Sequence, residues 1–268
     1  MKKKLGFMFW LGAAFLVFLV LFAVFGPMIL PPYEKSVGKP FLPPFGEHFL
    51  GTDEQGRSVL SRLAYGARIS LYVGLVVQGI AVGIGVLMGV LGVFAHKWVA
   101  GPLMRFTDAM FAFPDLLLAI LIVGIRGASL DSVIVALSVA AWPSVTRLVK
   151  TQVTSLKERE YVAASQALGA STGYIVVKHI LPHLWGILLA VSMVDLAAVI
   201  LAESSLSFLG IGVQAPEPSW GSMINTARVN MSSHPTMLIW PCLMLSATIF
   251  ALNFVGDGLR QLTDPRSK

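Results

Sequence analysis

Apolar positions in this chain fall into long runs, and short polar stretches separate them. The runs cover about 5–30, 69–95, 106–125, 130–149, 184–202 and 236–255. A helix of roughly 20 apolar residues is about 30 Å long, which matches the hydrocarbon thickness of a bilayer. The pattern predicts an all-α integral membrane protein with six transmembrane helices. The first run follows Lys2-Lys3-Lys4 as a signal peptide would. It is longer than a signal core and no small-x-small cleavage site follows, so 1–30 reads as a retained span. Pro27, Pro31 and Pro32 end it.

The polar stretches carry most of the remaining information. Residues 31–68 form a Pro- and Gly-rich segment in which Gly51 and Gly56 bracket a turn around Asp53. From Arg57 onward, Val59, Leu60, Leu63 and Ala64 share one face, which predicts an amphipathic helix on the membrane surface ahead of a span starting near Ile69. The permease-like membrane domain then occupies 69–257, and 258–268 is a tail. In the second span, Gly79–Gly83 and Gly85–Gly89 are GxxxG pairs that let helix backbones approach closely. Residues 96–105 read as a short basic loop. The third span holds Pro114, and the fourth holds Pro143 near its end. Residues 204–235, with Pro216, Pro218, Trp220 and Gly221, suggest a folded-back, partly interfacial segment.

The loop within 150–183 differs from every other stretch. Glu160-Tyr161-Val162-Ala163-Ala164-Ser165-Gln166-Ala167-Leu168 reads as a short helix rich in alanine. Gly169 follows where a left-handed cap would stop it. Ala170 and Ser171 lead into a second short helix, capped by Ser171 or Thr172 and closed by Pro182 after Leu181. Ala163, Ala164 and Ala167 form a face small enough for another backbone to approach. That face either docks a partner or lies on the chain's own membrane domain.

Composition agrees with the membrane reading. The chain has 268 residues, 56% hydrophobic and 13% charged, against about 25% charged in soluble domains. The net charge of +6 does not indicate nucleic-acid binding, because the basic residues flank the spans instead of forming a separate domain. With the N-terminus inside, residues 1–7, 96–105, 147–183 and 257–268 face the cytoplasm. They hold three, two, five and three of the 20 lysines and arginines, so N- and C-termini are expected to be cytoplasmic. The single Cys242 lies in an apolar run as a structural thiol. No metal site, P-loop or catalytic motif is present. Asp115 and Asp195 are the carboxylates placed deepest in the runs, and Glu203 ends the fifth. Intramembrane charge either lines a polar path or hydrogen-bonds to fix packing.

Several motifs together resemble the inner-membrane permease subunits of ABC importers, in the peptide and nickel branch. They include Gly51-Thr52-Asp53 with Gly56-Arg57 and Tyr65–Leu71. Ala164, Gly169, Leu181 and Pro182 keep the spacing of that family's cytoplasmic loop motif. Glu160-Tyr161 and Ala167–Ser171 match within the loop, although Ala163 stands where the family has Glu. Glu203–Gly210, Pro218–Gly221, Gly256–Arg260 and Asp264-Pro265 continue the match. The resemblance implies a five-helix importer core in the cell inner membrane. It implies a subunit that is not itself an enzyme and carries no cofactor, with ATP and Mg on two cytoplasmic ATPase subunits. It implies a second permease subunit and an extracytoplasmic solute-binding protein delivering di- or oligopeptides, nickel or another solute. Two other classes compete: a stand-alone secondary transporter or channel, which would need internal repeats, and an intramembrane enzyme, which would need facing catalytic groups.

Overall fold

The computed structural model describes residues 5–263. Lys2-Lys3-Lys4 and the expected Asp264-Pro265, Arg266 and Lys268 of the tail lie outside them. Among the described residues there are helices and no strands. They are α1 (Phe7–Ile29), α2 (Val59–Phe94), α3 (Lys97–Phe111), α4 (Asp115–Arg126), α5 (Leu130–Lys157), α6 (Glu160–Ala167), α7 (Thr172–Ile175), α8 (Leu181–Phe208), α9 (Trp220–Val229) and α10 (Thr236–Thr263). By length and composition α1, α2, α5, α10 and the rod from Thr172 to Phe208 can each cross a membrane; α3 with α4 makes a sixth, broken span.

Three boundaries differ from the sequence reading. The surface helix expected from Arg57 and the span expected from Ile69 are one 36-residue helix, α2. Arg57, Arg62 and Ser61 are buried there, so their polarity does not force the chain to the membrane surface. The expected basic loop 96–105 is the start of α3, capped by His96. The third span is not continuous. Pro114 has no N–H and pushes Phe113 out of helical conformation, and α3 and α4 meet at 90°.

Close packing between α2 and α5 builds the centre. A Cβ on Gly85 would meet the Val145 side chain at 2.5 Å, and one on Gly89 would meet Val149 at 2.6 Å. The Gly85–Gly89 pair is therefore a helix contact. Gly79 and Gly83 face open space. At one end of the bundle, α1, α2, α8, α9 and α10 enclose Leu19, Leu63, Ile200, Trp220 and Leu252. At the other, α5 and α8 enclose Val149, Val153, Ile180 and Leu184, with Val162 and Ile175 from the short helices. Trp10, Phe18, Leu75, Leu117, Leu189 and Leu243 are exposed along the spans, as a lipid-facing surface requires.

Candidate functional site

The 160–182 loop emerges from α5 as two short helices. α6 buries one residue, Val162, against Val149 and Val153. Glu160, Ala163, Ala164 and Ala167 are exposed, so the small face points away from the chain's own bundle. Leu168, just past the helix, is 90% exposed. Gly169 has φ +84°, in the left-handed region where an L side chain is strained. Ser171 then caps α7, its hydroxyl accepting the Tyr174 N–H at 3.3 Å.

Pro182 does not close this second helix. The chain passes from α7 through a π turn, Val176–Ile180, directly into α8. There Leu181 N–H donates to Val176 O, five residues back. Leu181 and Pro182 occupy the first turn of α8, where a missing N–H costs nothing and φ is already helical. The loop is thus joined rigidly to the following span. A set of rings braces the joint. Tyr161 of α6 lies 5.5 Å from His183 and 5.9 Å from His179, and Tyr174 lies 5.7 Å from His179. His183 Nδ1 bonds His179 O at 2.6 Å.

The three carboxylates of the spans lie in different settings. Asp115 is exposed at the first turn of α4, at the elbow with α3, instead of deep in a span. A helix N-terminus stabilises a negative charge there. Asp195 is half-buried at the middle of α8 and hydrogen-bonded to Gln78 of α2. Gln78 Nε2 also donates to Ser192 Oγ at 3.2 Å. Glu203 is 0% exposed. It accepts from Ser70 Oγ at 3.2 Å, Ser204 Oγ at 3.3 Å and Ser207 Oγ at 2.8 Å, and it bonds Ser219. The expected path carboxylate at 203 is instead enclosed in packing that ties α2, α8 and the start of α9 together.

At the far end of the bundle, Asp53 organises the 31–58 segment. Its Oδ2 meets Arg57 Nε at 2.6 Å and Arg62 Nε at 3.5 Å. Its Oδ1 accepts the backbone N–H groups of Gln55 and Arg57, both at 2.9 Å. Gly56, at φ +72°, lets the turn close, since a Cβ there would sit 2.2 Å from Gly38 O.

Gln78, Ser192, Arg62 and the serines around Glu203 escaped the sequence reading. A lone Gln in an apolar run was a signal for the first, and Ser at one and four residues after Glu203 for the last. Trp220 is fully buried, with Nε1 donating to Leu63 O at 3.2 Å; the segment around it is packed core, not an interfacial surface.

A broken-span helical bundle carrying a rigidly joined, exposed loop helix defines a polytopic membrane transport subunit. The chain belongs to the binding-protein-dependent transport system inner membrane component family, which matches residues 81–268. It is 40% identical to the dipeptide transport system permease protein DppC of Bacillus subtilis, over 95% of this chain and 81% of that one. It is 36% identical to the oligopeptide transport system permease protein OppC of the same organism, over 95% and 84%. Among solved structures, the inward-facing MetNI methionine ABC transporter shares the fold, with TM-score 0.63 and 20% identity over 76% of this chain and 97% of that one.

Proposed function

We propose that this chain is one permease half of an ATP-driven importer of di- or oligopeptides. The observation that carries the reading is α6: its alanine face is exposed, it is anchored through Val162, and it continues by way of α7 into a span. The substrate class rests on the named activities of the similar dipeptide and oligopeptide permeases. In this reading the loop side and both termini face the cytoplasm. Two ATPase subunits dock there, each on one permease half, and hydrolyse ATP with Mg. A second permease subunit completes the path, and an extracytoplasmic binding protein delivers the peptide at the 31–58 side.

The mechanism follows from the joint. Docking seats α6 against a groove of the ATPase, with Leu168 and the alanines in contact. When the groove moves, α6, α7 and the foot of α8 move together, because no flexible segment separates them. Asp195 lies about 21 Å up α8 from Leu181. A carboxylate at that depth does not face lipid. With Gln78 and Ser192 it forms a polar stripe on the side that turns toward the path, and tilting α8 changes which end of the path it serves.

The test is copurification and uptake. The tagged chain is extracted from native membranes in mild detergent and its partners are identified by mass spectrometry. ATPase subunits should accompany it and be lost on Gly169→Val with Ala164→Phe. A chain that comes out alone and carries peptide in liposomes without ATP would overturn the reading.

A further inference from the structure

The loop at 41–49 holds two phenylalanines in the left-handed region, Phe41 at φ 59° and Phe45 at φ 64°. Bulky residues rarely adopt that conformation, and glycine would take it without cost. For Phe41 the reason lies within the chain: its ring stacks on His234 at 4.1 Å with an interplanar angle of 5°. For Phe45 it does not. Its ring touches Phe49 at 5.5 Å and Trp240 at 6.4 Å, both edge-on, yet Phe45 is 71% exposed and Phe49 64%. A strained aromatic that stays exposed gains its stabilisation from something outside the chain.

The geometry identifies what that is. Phe41 rests on His234, just ahead of α10, and Phe45 rests on Trp240, inside it. Trp240 is four residues past Thr236, about 6 Å along the helix axis. The loop therefore descends alongside the first turns of a membrane-crossing helix. Ile239 and Leu243, on either side of Trp240 in the sequence, are exposed apolar residues of the same helix. The Phe45–Phe49 pair lies against the end of the α10 lipid-facing surface, where aromatic rings gather at the interface of a bilayer. The loop is held in place for this. Phe45 N–H donates to Phe49 O at 3.0 Å, and Leu42 N–H to Thr52 Oγ1 at 2.9 Å.

We propose that Phe45 and Phe49, beside Trp240, insert into the lipid interface and anchor the 31–58 segment to the membrane. The occupant is the bilayer itself, and the anchor is independent of the substrate and of the ATPase contact.

The experiment places a nitroxide label at single cysteines in a Cys242→Ser chain reconstituted with its partners in phosphatidylethanolamine–phosphatidylglycerol nanodiscs. Phe49→Cys is the main site, because its backbone is unstrained; Phe45→Cys is the second. Leu243→Cys reports the lipid-facing surface of α10, and Glu47→Cys reports the loop between the two rings. Relaxation by oxygen, which concentrates in lipid, is compared with relaxation by a water-soluble nickel chelate. Labels at 49 and 45 should favour oxygen several-fold, as at 243, with 47 favouring the nickel chelate. Labels at 49 and 45 that behave like 47 would overturn the proposal. So would protection that appears only when the binding protein is added, since that assigns the rings to a protein partner.

Discussion

The two ends of this bundle are built on opposite terms. The 31–58 segment is closed on itself. One carboxylate, Asp53, holds two buried guanidiniums and two backbone N–H groups, and Leu50 joins the core beneath it. The 160–182 loop is open. α6 buries Val162, braces one tyrosine against two histidines, and leaves its alanines and Leu168 exposed. An end that satisfies its own polar groups keeps its shape unaided. An end that leaves a small apolar face uncovered is completed by another protein. The difference separates a fixed platform from a moving contact, and both are joined to long helices that run through the membrane.

The comparison is broken most forcefully at Asp53. Asp53→Ala leaves Arg57 and Arg62 buried without their shared partner, which costs about 3–5 kcal/mol for a broken buried pair. The chain should lose thermal stability in detergent, and limited proteolysis should open within 31–58 before it cuts the 160–182 loop. Gly169→Val comes next. The left-handed backbone there adds about 1–2 kcal/mol of strain, so the melting temperature should fall modestly while uptake is abolished. Tyr161→Ala should cost under about 1 kcal/mol, as expected for one lost aromatic contact. Its effect should appear in coupling: less solute moved per ATP in the reconstituted transporter, with Tyr161→Phe keeping the ring contact and restoring the ratio. Leu168→Ser should be smallest in stability, within about 0.5 kcal/mol for an exposed position. It should nonetheless weaken ATPase copurification, which a surface residue without a partner would not do.

Much of the open end was legible in the sequence because local chemistry determines it. The alanines of α6, the left-handed Gly169 and the Ser171 cap all act within a few residues, and the structure places each where that chemistry puts it. What escaped depends on distant partners. Pro182 reads as a stop in sequence, but a proline in the first turn of α8 following a π turn is a start. Arg57 and Arg62 read as a surface face, because Asp53 as their buried partner lies in the preceding turn. Glu203 reads as a path residue, whereas Ser70, 133 positions away, encloses it. Asp115 reads as deep until the break at Pro114 moves it to an elbow. The number of spans was carried by hydrophobic run length, and the break in the third by one proline whose bend no pattern of polar and apolar positions encodes.

The most direct test of the central claim, that α6 is the docking element and the 31–58 segment is not, is amide hydrogen exchange on the chain in nanodiscs with and without its ATPase subunits. The account predicts that 160–175 exchanges fast alone and becomes protected when the ATPase is bound, while the amides of 51–58 exchange slowly in both. Unchanged exchange across 160–175 in a complex that still hydrolyses ATP and takes up solute would contradict it.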